Sequence, residues 1–250
     1  MKKIDSENNP KSFDIDKLAY SILWYMNYMS DVGRKYLLRE VLIKIPSTEY
    51  LEYLAFKEND VKLEELHPYS YFSSNRYVDL VFHNEKSKEV YAFEYKYVRS
   101  GYTEEDKEKE RLFADLMRLF YFLKSNKKGY VRNKKGFLII SGYSSDFMNS
   151  FQRIIRPTSL DLSSNSNNNK SEGFFAEWFS FDKTQPVKNI NLKIQTEYRK
   201  YYDAFFEKYF KNKPLKNCPA KISTKLLFLS ENNISSYPDQ IKLGIWEITK

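Results

Sequence analysis

The stretch "RYVDLVFHNEKSKEVYAFEYKYV", residues 76–98, decides the fold. Two runs rich in β-branched and aromatic residues, 77–82 and 89–98, flank a polar turn, which is the pattern of a β-hairpin. Side chains alternate across a strand, so parity sorts them into faces. In the second run Val90, Ala92, Glu94, Lys96 and Val98 share one face, and Tyr91, Phe93, Tyr95 and Tyr97 share the other. In the first run Tyr77, Asp79 and Val81 oppose Val78, Leu80 and Phe82. A four-residue loop at 85–88 pairs Phe82 with Tyr91, Leu80 with Phe93 and Asp79 with Glu94. A slip of two leaves both carboxylates on one face as diagonal neighbours, whereas a slip of one would bury them among the aromatics, which the pattern forbids.

Two carboxylates on opposed residues, roughly 4.5–5.5 Å apart at Cβ, repel each other. One pKa must rise unless a cation sits between them. One or two carboxylates and several waters are how Mg²⁺ is commonly held. Lys96 follows on the same face, about 6–7 Å from Glu94 by strand rise, within reach of a water or a phosphoryl oxygen. The competing reading is a solvated face with a weak Glu94–Lys96 surface pair. Val81, Val90, Ala92 and Val98 make that face apolar for a solvated one. The pattern alone leaves both readings open.

Outward from the hairpin, apolar residues at helical spacing predict a helix over 14–29. A second helical run over 34–45 is expected to stop at Pro46, with a third over 47–56 capped by Ser47. After the hairpin the strongest helix covers 105–124, with Leu112, Leu116, Leu119, Phe120 and Leu123 as its apolar stripe. "GFLIISGY", 136–143, reads as a strand covered on both faces, and 144–155 as a helix. The Ser/Asn-rich run 158–173 reads as a flexible loop. "FFAEWFSF" (174–181) reads as a strand, 195–210 as a helix, and 225–230 and 241–248 as strands. This order predicts an α/β protein, a mixed β-sheet flanked by helices on both faces. The expected organisation is a loose N-terminus at 1–12, a core at 13–157, the loop, and an α+β extension at 174–250 packed on the core as one domain.

The chain of 250 residues carries 21 Tyr and 19 Phe, ample for a sizeable core. Its formal net charge of +8 favours polyanionic partners, nucleic acid first. A single cysteine, Cys218, excludes an internal disulfide framework and a cysteine-based zinc site, as expected of a reducing cytoplasm. No apolar run approaches the ~18 residues of a membrane span, and the first residues lack the apolar region of a secretory signal. A soluble cytoplasmic protein without a membrane partner is therefore expected.

Val78-Asp79, fourteen intervening residues and then Glu94-Tyr95-Lys96 resemble the motif of the PD-(D/E)xK nuclease superfamily, whose fold is restriction-endonuclease-like. Val78 stands where the motif often has proline. The helices before, the hairpin, and the long helix and strand after it resemble that family's core, allowing for one further strand before Arg76. The resemblance covers residues 34–143. It implies Mg²⁺-dependent hydrolysis of phosphodiester bonds, with Mn²⁺ able to substitute. It also implies that Asp79, Glu94 and the Tyr95 carbonyl hold the metal and that Lys96 activates water. A further acidic residue on the first core helix would be Glu40, for which an ordinary surface position is an equal alternative; Glu49 and Glu52 are weaker candidates.

Arg111, Asp115 and Arg118 share a face of helix 105–124. Arg111 and Arg118 are candidate phosphate contacts, with an Arg118–Asp115 pair within the helix as the rival reading. Lys200 is a third candidate, in a stretch (183–216) with nine Lys/Arg against three acids. His67 and His83 form no zinc-binding pattern, and His83 is read as capping the hairpin. No phosphate-cradling Gly-rich loop is present. Beside a structural or interaction protein in which the Glu94–Lys96 pair is incidental, two functions follow. One is a DNA endonuclease in restriction or anti-phage defence, compatible with a homodimer or a protein partner in such a system. The other is a catalytically silent nucleic-acid-binding or assembly module on the same fold.

Overall fold

The computed structural model describes residues 12–34, 39–57, 60–69, 76–98, 105–126, 133–151, 178–191, 196–210, 220–230 and 241–249. The expected loose N-terminus, save residue 12, and the loop 158–173 lie outside them. The elements run α1 (Ile15–Asp31), α2 (Glu40–Leu54), β1 (Val61–Leu66), β2 (Tyr77–Asn84), β3 (Glu89–Val98), α3 (Glu105–Lys124), β4 (Asn133–Tyr143), α4 (Ser144–Phe151), β5 (Val187–Asn191), α5 (Thr196–Phe210), β6 (Lys221–Leu229) and β7 (Ile241–Thr249). All seven strands form one mixed sheet in the order β1-β2-β3-β4-β7-β6-β5. β3 and β4 are parallel, with α3 between them in sequence, and the other pairs are antiparallel.

The parity of the opening hairpin sets the two layers. Its aromatic face, including Phe82, Tyr91, Phe93 and Tyr95, is buried with Leu18, Ile22 and Met26 of α1 and Ile43 and Leu51 of α2. The other face buries Val81, Val90 and Ala92 with Leu112, Leu116 and Leu119 of α3 and Tyr201, Phe205 and Tyr209 of α5. The register pairs Phe82 with Tyr91 and Leu80 with Phe93, as parity requires. The turn is tied by Asn84, whose Oδ1 accepts from Lys86 N and Ser87 N, both at 3.1 Å. His83, read from sequence as the cap, instead lies within β2 opposite Val90.

Three expectations change. Helix α2 runs through Pro46 as one element, where two helices broken at Pro46 were expected. Proline removes one donor, and the neighbouring hydroxyls add bonds to the previous turn: Ser47 Oγ donates to Ile43 O at 2.8 Å and Thr48 Oγ1 to Lys44 O at 2.9 Å. Pro46 is itself buried, so packing outweighs helix propensity there. The strand allowed for before Arg76 is β1, an edge strand whose "VKLEEL" lacks alternation and whose Glu64 has φ of 50°. The strand expected at 174–181 is absent from its described part: residues 178–181 are irregular, and the strand lies at Val187–Asn191. Residues 174–177 lie outside the described residues.

The C-terminal strands enter the sheet itself, with β7 antiparallel beside β4. Gly244 is required there. A Cβ at this position would stand 2.1 Å from Cη2 of Trp246. That ring is fixed by its Nε1–H bond to Ser180 O at 2.9 Å and by Phe179, centroid to centroid 4.9 Å. Gly244→Ala is expected to destabilise the fold by about 1–3 kcal/mol through overpacking. An unchanged urea midpoint would show that the indole can move aside.

Candidate active site

The β2–β3 ladder is paired up to Leu80 and Phe93. At the next position the Asp79 carboxylate takes a backbone donor directly: Oδ2 accepts from Tyr95 N at 3.0 Å. Its other oxygen, Oδ1, lies 2.9 Å from Lys44 Nζ of α2. Lys44 also donates to Glu64 Oε1 of β1 at 2.8 Å. Burial opposes the Lys44 charge, but these two carboxylates outweigh it and hold the ammonium above its ordinary pKa. A side chain from each of α2, β1 and β2 thus meets at one lysine.

Glu94 is fully buried, and both its oxygens are claimed by Arg118 of α3. Nε donates to Oε1 at 2.9 Å and an Nη2 proton reaches Oε2 at 2.7 Å. Such a planar fork is the strong geometry of a charge-assisted pair. Arg118 also donates to Asp115 Oδ1 at 2.6 Å and to the Tyr209 hydroxyl of α5 at 3.2 Å. Burial pushes the Glu94 carboxyl up, and Arg118 pulls against it. Burial likewise works against the Arg118 charge, but Glu94 and Asp115 more than offset it and raise the guanidinium further. Asp115 is pushed up to about 6, chiefly by burial.

Lys96 stands 3.5 Å from Glu40 Oε1, at the start of α2. Asp79, Lys96, Glu40 and Tyr95 line one cavity of about 190 Å³, together with Asp115 and Arg118. Arg111 and, from α5, Tyr209 also border it. Glu94 sits behind the wall, reached through Arg118. The candidates on α2, β2, β3 and α3 therefore converge. Glu49 and Glu52 are exposed, and Glu49 borders a separate groove with Trp24 and Tyr53. Lys200 belongs to α5, but its side chain lies outside the described residues.

No family model, curated protein or solved structure matches the chain. Its chemistry must be read from the site itself. Its ion pairs set three cations, Lys44, Lys96 and Arg118, against five carboxylates, Glu40, Glu64, Asp79, Glu94 and Asp115. Asp79, Glu94 and the Tyr95 carbonyl are hard oxygen donors. That donor type suits a hard cation rather than a thiolate- or imidazole-seeking metal, in a cavity whose lining balances four acids, Glu40, Asp79, Glu110 and Asp115, against four cations, Lys96, Arg111, Arg118 and Lys208. Among the described residues no three His, Cys, Asp or Glu side chains are already grouped to hold an ion. Lys44 and Arg118 neutralise the carboxylates in their place. Among the described residues, no helix is long and apolar enough to cross a membrane.

Reasoning from sequence missed Lys44, Tyr209 and His67 as parts of this site. Lys44 had a signal, since it lies one turn after Glu40 on the same helix face. Tyr209 had none, being one of 21 tyrosines with no distinguishing neighbour in the sequence. His67, after β1, accepts from Tyr69 N at Nδ1 (3.1 Å) and so donates from Nε2 to the carbonyl of Arg118 (2.9 Å). It thereby ties the backbone of the site arginine to the edge of the sheet.

Burial lowers the His67 pKa from 6.5 to about 4. A base with a depressed folded pKa contributes stability that is full above the unfolded value and lost as pH falls through the folded one. The window is therefore pH 6.5 down to 4, worth up to about 3 kcal/mol. Asp115 acts with opposite sign: raised from 3.8 to about 6, it favours the fold at low pH and ceases to as pH rises through 6. His67→Asn is expected to lose less stability than wild type between pH 7 and pH 4.5, measured by urea unfolding. Equal losses in the two proteins would remove His67 from the account.

Proposed function

We propose that the chain is a Mg²⁺-dependent nuclease of restriction-endonuclease-like fold, acting on cytoplasmic DNA in restriction or anti-phage defence, with Mn²⁺ able to replace Mg²⁺. The observation that carries this reading is the meeting of Asp79, Tyr95, Lys96 and Glu40 at one charged cavity beside the end of the β2–β3 ladder, with Glu94 immediately behind. The element order supports it: three antiparallel strands after the helices, then α3 and a parallel β4, as the sequence resemblance implies. The net charge of +8 suits a polyanionic substrate.

Asp79, Glu94 and the Tyr95 carbonyl would hold the ion. A bound Mg²⁺ lowers the pKa of its water and stabilises charge on the phosphoryl group. Lys96, steered by Glu40, presents an ammonium to the cavity, where it can orient the attacking water and offset charge on a phosphoryl oxygen. Tyr95 N–H holds the Asp79 carboxylate in a fixed orientation. Arg111 at the cavity wall is placed to contact a phosphate of the strand.

The second reading is a silent nucleic-acid-binding module. It is favoured by the full commitment of Glu94 to Arg118. Supercoiled plasmid and single-stranded RNA incubated with Mg²⁺, Mn²⁺ or EDTA separate the two. The nuclease reading expects cleavage with either ion, none with EDTA, and none by Asp79→Asn. Salt-dependent binding with no cleavage, indifferent to EDTA, would establish the silent module instead.

A further inference from the structure

We propose that Arg118 is a resident counter-cation that competes with a divalent ion for Glu94, and that Tyr209 of α5 holds it in place. Arg118 is thus a positioning residue whose release loads the site. The inference rests on the nuclease reading of Asp79 and Glu94, and concerns how that site takes up its ion.

Three observations carry it. The guanidinium fork spends Nε and Nη2 on both Glu94 oxygens, at 2.9 and 2.7 Å, and it is Arg118, not Glu94, that lines the cavity. The remaining side of the fork is anchored twice, to Asp115 at 2.6 Å within α3 and to the Tyr209 hydroxyl at 3.2 Å from α5. Tyr209 is in turn packed under Arg76, whose guanidinium lies 4.5 Å from its ring centroid, while Arg76 Nη2 reaches Lys208 O at 3.4 Å. A chain of contacts therefore runs from Arg76, just before β2, through α5 to Glu94. Asp79 is treated alike, by Lys44 at 2.9 Å.

A cation already seated against a carboxylate must yield before another can coordinate it, so ion affinity and Arg118 pairing are reciprocally coupled. Removing Arg118 leaves Glu94 and Asp115 buried without their counter-charge, which favours any cation that can replace it, a divalent ion or a proton, so the metal titration is run at pH 8, where protons compete least. Displacement of α5, which forms one wall of the cavity, would loosen the same hold. This makes α5 the element through which a bound nucleic-acid strand could promote ion loading.

The test uses the full chain and the metal alone. Mn²⁺ affinity by titration calorimetry, and the Mn²⁺-induced rise in melting temperature, are measured for wild type, Arg118→Met, Arg118→Lys and Tyr209→Phe. Arg118→Met is expected to bind Mn²⁺ about tenfold or more tightly than wild type, within the usual span of coupled sites. It should also show the larger Mn²⁺-induced rise in melting temperature. Arg118→Lys should return affinity toward wild type, and Tyr209→Phe should lie between. Adding Glu94→Gln to Arg118→Met should cancel the gain, which locates the ion at Glu94. Unchanged or weakened Mn²⁺ binding in folded Arg118→Met overturns the proposal, as does a gain that survives Glu94→Gln. If Arg118→Met does not fold, Tyr209→Phe decides: no gain in its affinity overturns the proposal. Wild type that never cleaves DNA while these variants gain Mn²⁺ affinity would reject the nuclease reading and leave the latch standing.

Discussion

Lys96→Ala is expected to lower the rate of DNA cleavage by about 10²–10⁴-fold, the usual contribution of a positioned proton-transfer or charge-stabilising group, with almost no loss of stability. The separation of the two effects comes from the environment of the side chain. The Lys96 side chain is 13% exposed, but its Glu40 partner lies at 3.5 Å and is 44% exposed, so the pair itself contributes little to folding. Single-turnover cleavage under saturating Mg²⁺, paired with a urea midpoint, measures both effects. Lys96→Arg should recover little activity, because a guanidinium keeps the charge but presents a wider, planar set of donors. Activity retained in Lys96→Ala would make Glu94–Lys96 the incidental pair that the strand pattern also allowed.

Glu94→Ala is expected to produce the largest loss of stability at this site, about 3–5 kcal/mol, because it strands a buried guanidinium. Glu94 is completely buried, and among the described residues the Arg118 guanidinium retains only Asp115 and Tyr209 as partners once Glu94 is gone. For a domain of this size the loss corresponds to a fall in melting temperature on the order of 10 °C. At pH 6 or below the double variant Glu94→Leu/Arg118→Met should cost less than Glu94→Ala alone, since the carboxyl it leaves without a counter-charge, Asp115, is held up at about 6 by burial and can take a proton. Equal or greater loss in the double variant would show that packing, not the uncompensated charge, sets the cost.

The two predictions concern neighbouring residues of one strand face, two positions apart, yet their expected readouts are opposite. The difference is burial. Lys96 reaches the cavity, where water can solvate whatever remains after substitution. Glu94 lies behind Arg118, where nothing but protein can respond. Strand spacing alone would have assigned both the same surroundings.

Much of the fold was legible because it rests on short-range periodicity. Helix α3 begins and ends at the expected residues, and its stripe from Leu112 to Leu123 is buried. The register between β2 and β3 follows from the four-residue loop together with parity, since a slip of one residue would put Asp79 and Glu94 among Phe82, Tyr91 and Phe93. β1 was legible only as a missing neighbour, since the edge strand "VKLEEL" has one face with little to bury. Pro46 misled because a proline is a strong local signal, whereas α2 is held by contacts on its buried side. The strand expected at 174–181 failed differently: Trp178 and Phe179 are hydrophobic because they plug the core as irregular chain, not because they pair.

The sequence by itself determined which residues share a strand face, and so that Asp79, Glu94 and Lys96 can meet. Alternation of side chains along a strand is a property of the backbone, present before any tertiary contact. Only the tertiary structure decided who neutralises them. Lys44 arrives from a helix thirty-five positions before Asp79, Arg118 twenty-four after Glu94, and Tyr209 ninety-one beyond Arg118. Electrostatic partnership depends on distance in space and on local dielectric, and neither is written in the spacing of residues along the chain.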